Sequence, residues 1–199
     1  MPASIILASS SSSRAALLCA AGVEFSQVPA RIDEEAIRLA LQAEGATPRD
    51  IADALAEFKA LKVSQRQPDA LVIGADQVLD LDGSALAKPE GLIAARAQLM
   101  QLRGRKHTLY SAAVIAQGGK PLWRHIGQAR LTMRDVSEAY LDNYLSRNWP
   151  AVSGSVGSYH IEAEGIRLFS DIDGPWPVIL GMPLIEILGY LAVRGDIAS

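Results

Sequence analysis

The sequence predicts an α/β fold built on a mixed β-sheet with flanking helices, and three observations predict it. Short apolar runs of strand character alternate along the chain with stretches of helical period. The run Ala70-Leu71-Val72-Ile73-Gly74-Ala75-Asp76 is apolar up to its terminal acid, the pattern of a strand covered on both faces. Turn signals at Asp82-Gly83 and Gly118-Gly119 join neighbouring strands as hairpins, which argues against a purely parallel, doubly wound sheet.

Taken in order, Ser4 to Ala8 reads as a short buried strand, followed by the serine run Ser9 to Ser13 and a helix from Arg14 to Ala21 that Gly22 stops. Asp33 caps a helix carrying Ile37, Ala40 and Leu41, which Gly45 ends. Thr47-Pro48-Arg49-Asp50 is a variant capping box with proline at the first helical position. The helix it opens carries Ile51, Leu55 and Phe58 at core spacing, which places Lys59 at the rim of the stripe and Lys62 nearer its middle. After the strand ending at Asp76 and its hairpin, Lys88-Pro89 is extended, because a residue before proline avoids the helical region. A helix covers Leu92 to Leu102 with Gly104 as its stop, and His107 to Ala116 and Leu122 to Met133 are strands around Gly118-Gly119. Ser137 caps a helix ending near Trp149-Pro150. Ser153 to Ser158 is a flexible-backbone loop leading into Tyr159-His160-Ile161-Glu162, and Gly181-Met182-Pro183 opens a terminal helix rich in leucine and isoleucine. With neither an internal repeat nor a separating linker, residues 1–199 are expected to form a single domain.

Composition narrows the function classes. A chain of 199 residues that is 49% apolar and 21% charged can bury a core and is not disordered as a whole. A net charge of −3 without a run of Lys or Arg sets nucleic acid aside as a partner. The one cysteine, Cys19, excludes an intramolecular disulfide, and its neighbours Leu17, Leu18, Ala20 and Ala21 mark it as a small core residue rather than a catalytic thiol. With no basic leader and no apolar run of about 20 residues, no membrane association is expected, and a cytoplasmic location follows by elimination.

Four features carry chemistry. A strand, a serine loop and a helix start form a ready anion site, because first-turn N–H groups lack intrahelical partners and the helix dipole favours negative charge. Ser9 and Ser11 add hydroxyl donors there, and Arg14 can grip two phosphate oxygens at once; the plainer reading is a solvated turn. Asp76 sits at the carboxyl end of a buried strand, where open α/β sheets place ligands. It can activate water, bind a metal, or simply cap a turn. Lys59 and Lys88 are weak signals alone, and His107, His125 and His160 lack metal-ligand spacing. Trp176, between Pro175 and Pro177, either stacks on a base or anchors a loop. The absence of GxxxxGK[ST], GxGxxG and GxSxG removes the commonest nucleotide-binding and serine-hydrolase scaffolds.

The ordered set LASSSSSRAALL, Asp33-Glu34, LAEFKA, IGADQV, Lys88-Pro89, GRKH, GSVGSYHIEAEG and ILGMPLIEIL spans nearly the whole chain, and it resembles the Maf family of nucleotide pyrophosphatases. The resemblance implies an elongated, two-lobed Maf/ITPase-like fold with a central cleft, often a homodimer. It implies hydrolysis of a nucleoside triphosphate between the α and β phosphates, assisted by a divalent metal cation, Mg2+ or Mn2+. Asp76 falls at the proton acceptor's position, and Ser9, Arg14, Glu34, Lys59 and Lys88 at the other pocket positions, which selects Lys59 over Lys62. Glu34 then serves as a second metal ligand beside Asp76 or as an anchor for a lysine.

The usual S-x-S-P-R-R loop is altered here, Ser12 and Ser13 replacing its proline and first arginine. Substrate branches differ at the positions of Ser13, Gln77 and Glu162. The branch acting on dTTP and UTP carries Arg, Thr and Gln there, whereas Gln77 and Glu162 match the 7-methyl-GTP branch. A carboxylate at Glu162 would favour the cationic methylated guanine, unless it pairs with Arg167. The alternatives are a dTTP/UTP or broad-specificity pyrophosphatase for modified nucleotides, and a catalytically weak nucleotide-binding regulator of cell division.

Overall fold

The computed structural model describes residues 3–198. One open sheet of seven strands runs through it, in the order β2-β1-β3-β5-β6-β7 with β4 paired to β3. Its strands are β1 (Ile5–Leu7), β2 (Ser26–Gln27), β3 (Leu71–Leu81), β4 (Ser84–Leu86), β5 (Lys106–Gln117), β6 (Lys120–Met133) and β7 (Phe169–Asp173). β1 pairs parallel with β2 and β3, and every other pairing is antiparallel. The sheet is therefore mixed, and both anticipated hairpins close on left-handed pairs, Asp82-Gly83 and Gly118-Gly119, as two-residue hairpin turns require.

Among the described residues seven α-helices flank it: α1 (Ser12–Ala20), α2 (Glu34–Ala43), α3 (Pro48–Ser64), α4 (Leu92–Leu102), α5 (Glu138–Asn148), α6 (Trp176–Ile179) and α7 (Leu184–Arg194). Their starts follow the capping chemistry: Ser11, Asp33, Thr47 and Ser137 each accept a first-turn N–H. Among the described residues, no helix is long and apolar enough to cross a membrane.

The period of two along β3 sorts its side chains. Leu71, Ile73 and Ala75 meet Leu18 of α1 and Ile187 and Leu191 of α7 on one face. On the other face Val78 joins Ala112 and Val114 of β5 against Ala52, Ala56 and Ala60 of α3. Gly74 permits the closest approach, since a Cβ there would lie 2.2 Å from the Ala56 carbonyl oxygen and 2.5 Å from the Ala60 nitrogen.

That contact shifts the expected face of α3 away from Phe58 and toward Lys59. The buried stripe is Ile51, Ala52, Leu55, Ala56, Lys59, Ala60 and Val63, so Ile51 and Leu55 lie in the core as expected, while Phe58 is 47% exposed. Small residues mark the side pressed on the sheet, so Lys59 lies within the stripe and Lys62 reaches the Arg31 carbonyl at the edge. Cys19 is exposed rather than in the core, because α1 buries Leu18 on the adjacent face. The segment Ser153 to Ser158 also departs from a flexible loop. It begins as a 3-10 turn, Ala151–Gly154, and Gly157 and Ser158 are buried at positive φ.

Candidate active site

β1 covers β3 only along Leu71–Ile73, and β4 only along Leu79–Leu81. Between them residues 74–78 of β3 have no strand neighbour on that side, although β5 pairs the other edge throughout. The serine loop leaves β1 at one end of this gap, and the chain leaving β4 carries Lys88 past the other. A cleft of about 830 Å³ occupies the gap, lined by Ser9 to Arg14, Glu34, Lys59, Asp76, Gln77 and Lys88 among others.

The loop is held from within. Ser9 Oγ accepts from the Ser11 N–H at 3.2 Å and from Arg14 Nη1 at 3.1 Å. Ser11 Oγ caps α1 through the Arg14 N–H. Arg14 Nε donates to the Gly181 carbonyl at 2.8 Å, which leaves Nη2 for a ligand. Burial lowers the Arg14 pKa from its ordinary value, while Asp76 and Glu34 act in the opposite direction.

Lys59 projects from α3 into the gap. Its Nζ lies 2.5 Å from Asp76 Oδ1 and 2.9 Å from Glu34 Oε1. Lys59 and Asp76 are nearly inaccessible, whereas the Glu34 side chain is 46% exposed. Burial would raise the Glu34 pKa, but the charge and hydrogen bond of Lys59, with the fields of Lys88 and Arg14, hold it below the usual carboxylate range. Lys88 itself is exposed.

Gln77 follows Asp76 and so faces the opposite side of β3. Its cross-strand partner is Ser111, a buried hydroxyl that donates to the Val178 carbonyl at 2.7 Å. With that proton committed, Ser111 Oγ offers Gln77 a lone pair. Gln77 Nε2 donates there and to the carbonyls of Val178 and Ile179, each at 3.0 Å. The amide oxygen is thus the atom left for a ligand. A small side cavity of about 50 Å³ joins Gln77, Ser13 and Glu162 with Tyr159, His160 and Leu180. Glu162 is exposed, and Arg167 lies by Glu164, at 3.9 Å, instead of pairing with Glu162. Trp176 is half-exposed and is not among the residues lining the cleft.

The structure therefore gathers Ser9, Ser11, Ser13, Arg14, Glu34, Lys59, Asp76, Gln77, Lys88 and Glu162 around the cleft and its side cavity, and leaves Trp176, His107 and His125 outside both. The sequence does not single out Ser111; its signal is a small hydroxyl directly before the apolar run Ala112 to Ala116 of β5. The Val178–Gly181 turn that orients both Gln77 and Arg14 is not singled out either, because backbone carbonyls leave no mark in side-chain identity.

The family profile described as Maf-like protein matches residues 4–193. The chain belongs to the Maf family. Relatives of this Maf chain include the nucleoside triphosphate pyrophosphatase of Roseobacter denitrificans, 55% identical over 197 residues and 99% of each chain. That of Caulobacter vibrioides is 49% identical over 191 residues, 96% of each. The 7-methyl-GTP pyrophosphatase of Brucella abortus is 46% identical over 191 residues, also 96% of each.

Among the described residues, no cluster of three or more His, Cys, Asp or Glu side chains is poised to hold a metal. Asp76 and Glu34 nevertheless offer hard carboxylate oxygens beside the anion loop. That donor set fits Mg2+ or Mn2+, since magnesium is ordinarily held by one or two carboxylates together with substrate phosphates.

Proposed function

We propose that this Maf chain hydrolyses the anhydride between the α and β phosphates of a nucleoside triphosphate, releasing the monophosphate and pyrophosphate, with 7-methyl-GTP as its favoured substrate. It is a hydrolase acting on phosphorus-containing acid anhydrides, as its relatives' names indicate. The observation that carries the reading is the Lys59 bridge between Asp76 and Glu34 inside a cleft that also holds the Ser9–Arg14 loop and Lys88.

Phosphoryl transfer needs charge neutralisation and a positioned nucleophile more than covalent help. Lys59 holds Asp76 by Oδ1, leaving Oδ2 to accept a proton from water as that water attacks phosphorus. Arg14 Nη2, the Ser9–Ser13 loop and Lys88 bind the phosphate oxygens, so that charge on departing pyrophosphate is met by cations already in place. A divalent ion held by Asp76 and Glu34 would supply Lewis acidity toward those oxygens. Removing divalent ions with a chelator is expected to stop pyrophosphate release, and adding Mg2+ or Mn2+ to restore it.

Two acceptors support the choice of base. Gln77 turns its amide oxygen outward, and Glu162 shares the small cavity with it. A guanine edge presents N1–H and N2–H as adjacent donors, whereas uracil and thymine present one N–H between two carbonyls. Methylation at N7 adds positive charge, which the Glu162 carboxylate favours. A cavity of about 50 Å³ admits a base edge rather than a whole ring.

The test is turnover of 7-methyl-GTP, GTP, dTTP and UTP side by side, with pyrophosphate and monophosphate quantified. We expect kcat/KM to be highest for 7-methyl-GTP, by about tenfold over dTTP and UTP. Faster dTTP or UTP hydrolysis would reverse the base assignment. Nucleotide binding without pyrophosphate release would sink the catalytic reading in favour of a regulator.

A further inference from the structure

Gln98 is a polar side chain on the buried face of α4, only 9% exposed, among Ala95, Leu99 and Leu102. Burying an amide is costly unless its donor and acceptor are both used. Here both are used, toward two different stretches of chain. Nε2 donates to the Ala87 carbonyl at 2.8 Å, and Ala87 directly precedes Lys88. Oε1 accepts from the Gly157 N–H at 2.8 Å and the Ser158 hydroxyl at 3.3 Å.

Those two stretches line different parts of the site. The first carries Lys88 into the cleft. The second lies between Val156 and His160, which both border the small cavity that Gln77 and Glu162 share. The second stretch also needs holding. Ser158 is fully buried with φ of 58°, a left-handed conformation that a residue with a Cβ adopts only when its surroundings enforce it. Gly157, at φ of 84°, is pressed so closely on Leu79 and Tyr159 that a Cβ would lie 2.9 and 2.5 Å from their side chains.

We infer that Gln98 is a positioning residue that ties the Lys88 segment to the base-side loop, fixing phosphate grip and base selection relative to one another. The inference rests on the reading of the cleft as a nucleoside triphosphate site. Gln98 touches no substrate atom. It acts through the Ala87 carbonyl on one side and the Gly157-Ser158 turn on the other.

Three variants separate the two links. Gln98→Met keeps the volume and loses both. Gln98→Glu, studied at pH 8, keeps the acceptor for Gly157 and Ser158 but faces the Ala87 carbonyl with a carboxylate instead of a donor. Ser158→Ala loosens the loop side alone. We expect Gln98→Met to lower kcat about tenfold and to narrow the preference for 7-methyl-GTP over GTP. Gln98→Glu should lower kcat with the preference kept, and Ser158→Ala should narrow the preference with kcat kept. A purely structural role would instead reduce the folded fraction and leave kcat per folded molecule, KM and substrate ratio unchanged, which would overturn the inference.

Amide hydrogen exchange reads the same link without turnover. In Gln98→Met, exchange should accelerate both at Gly157 and across residues 86–91. In Gln98→Glu it should accelerate across residues 86–91 alone. Unchanged exchange at both places in a folded Gln98→Met protein would overturn the link, whatever substrate the enzyme proves to use.

Discussion

Lys59 Nζ lies 2.5 Å from Asp76 Oδ1 in a pair almost closed to solvent, and the second carboxylate on that ammonium, Glu34, is partly open to the cleft. The asymmetry separates anchoring from chemistry. One Asp76 oxygen is fixed by the lysine, and the proposed mechanism leaves the other to a water. Replacing Asp76 by Asn keeps the shape and leaves Lys59 a partner in Glu34, so the fold should survive. We expect Asp76→Asn to lower kcat by about 10²- to 10⁴-fold with little change in the circular dichroism spectrum. Near-wild-type pyrophosphate release from the folded variant would remove Asp76 from the mechanism.

The same pair depends on how closely α3 lies on β3. A Cβ at Gly74 would meet backbone atoms of Ala56 and Ala60, at 2.2 and 2.5 Å, and backbone cannot swing aside as a flexible side chain does. Gly74→Ala should therefore lift the helix, at a cost of about 3 kcal/mol in stability, and draw Lys59 away from Asp76. Urea denaturation measures the first effect and kcat of the folded fraction the second. A variant with an unchanged urea midpoint would show that α3 is free to shift.

Much of this was legible in the sequence. The extent of α4 and its stop at Gly104 follow from the sequence, as do the caps at Asp33, Thr47 and Ser137, and Asp76 stands out where an apolar run meets an acid. The expected strand end at Asp76 is not found: β3 continues to Leu81, and Asp76 borders the cleft from mid-strand because β1 and β4 leave residues 74–78 uncovered. The burial of Lys59 was not legible from large residues, because the face of α3 nearest the sheet is marked by alanines. The link between Gln77 and Ser111 depends on strand register across 34 residues of sequence, and Gln98 works through backbone groups. Contacts of that kind are set by topology rather than by local pattern.

His107 gives the protein an acid sensitivity away from the cleft. It is 2% exposed, its Nε2 lies 2.8 Å from the Tyr159 hydroxyl, and its Nδ1 has no partner among the described residues. Burial pushes its pKa down to about 4, below an unfolded value of about 6.5. Between these values the unfolded chain binds a proton that the native protein does not. The contribution is therefore fully present above pH ~6.5 and lost as pH falls toward ~4, with a slope of up to about 1.4 kcal/mol per pH unit. Urea midpoints at pH 7, 6 and 5 should fall more steeply for the wild type than for His107→Gln, which keeps a partner for Tyr159 and has no proton to gain. Parallel slopes would assign the acid sensitivity elsewhere.

The proposed preference for a methylated base assigns the charge part of base selection to Glu162. It is exposed at the rim of the cavity that Gln77 and Ser13 share, and the neighbouring arginines Arg147 and Arg167 are engaged by Glu164 instead. Its carboxylate is thus available to a cationic base. Glutamine at this position keeps an acceptor but loses the charge, so the penalty should fall on 7-methyl-GTP and spare GTP. We expect Glu162→Gln to reduce the ratio of kcat/KM for 7-methyl-GTP to that for GTP by about tenfold. Because this contact is exposed, raising the ionic strength should erode the wild-type ratio as well. A ratio that neither the substitution nor salt alters would mean that the methylated base is read by shape alone, through Gln77 and the walls of the cavity.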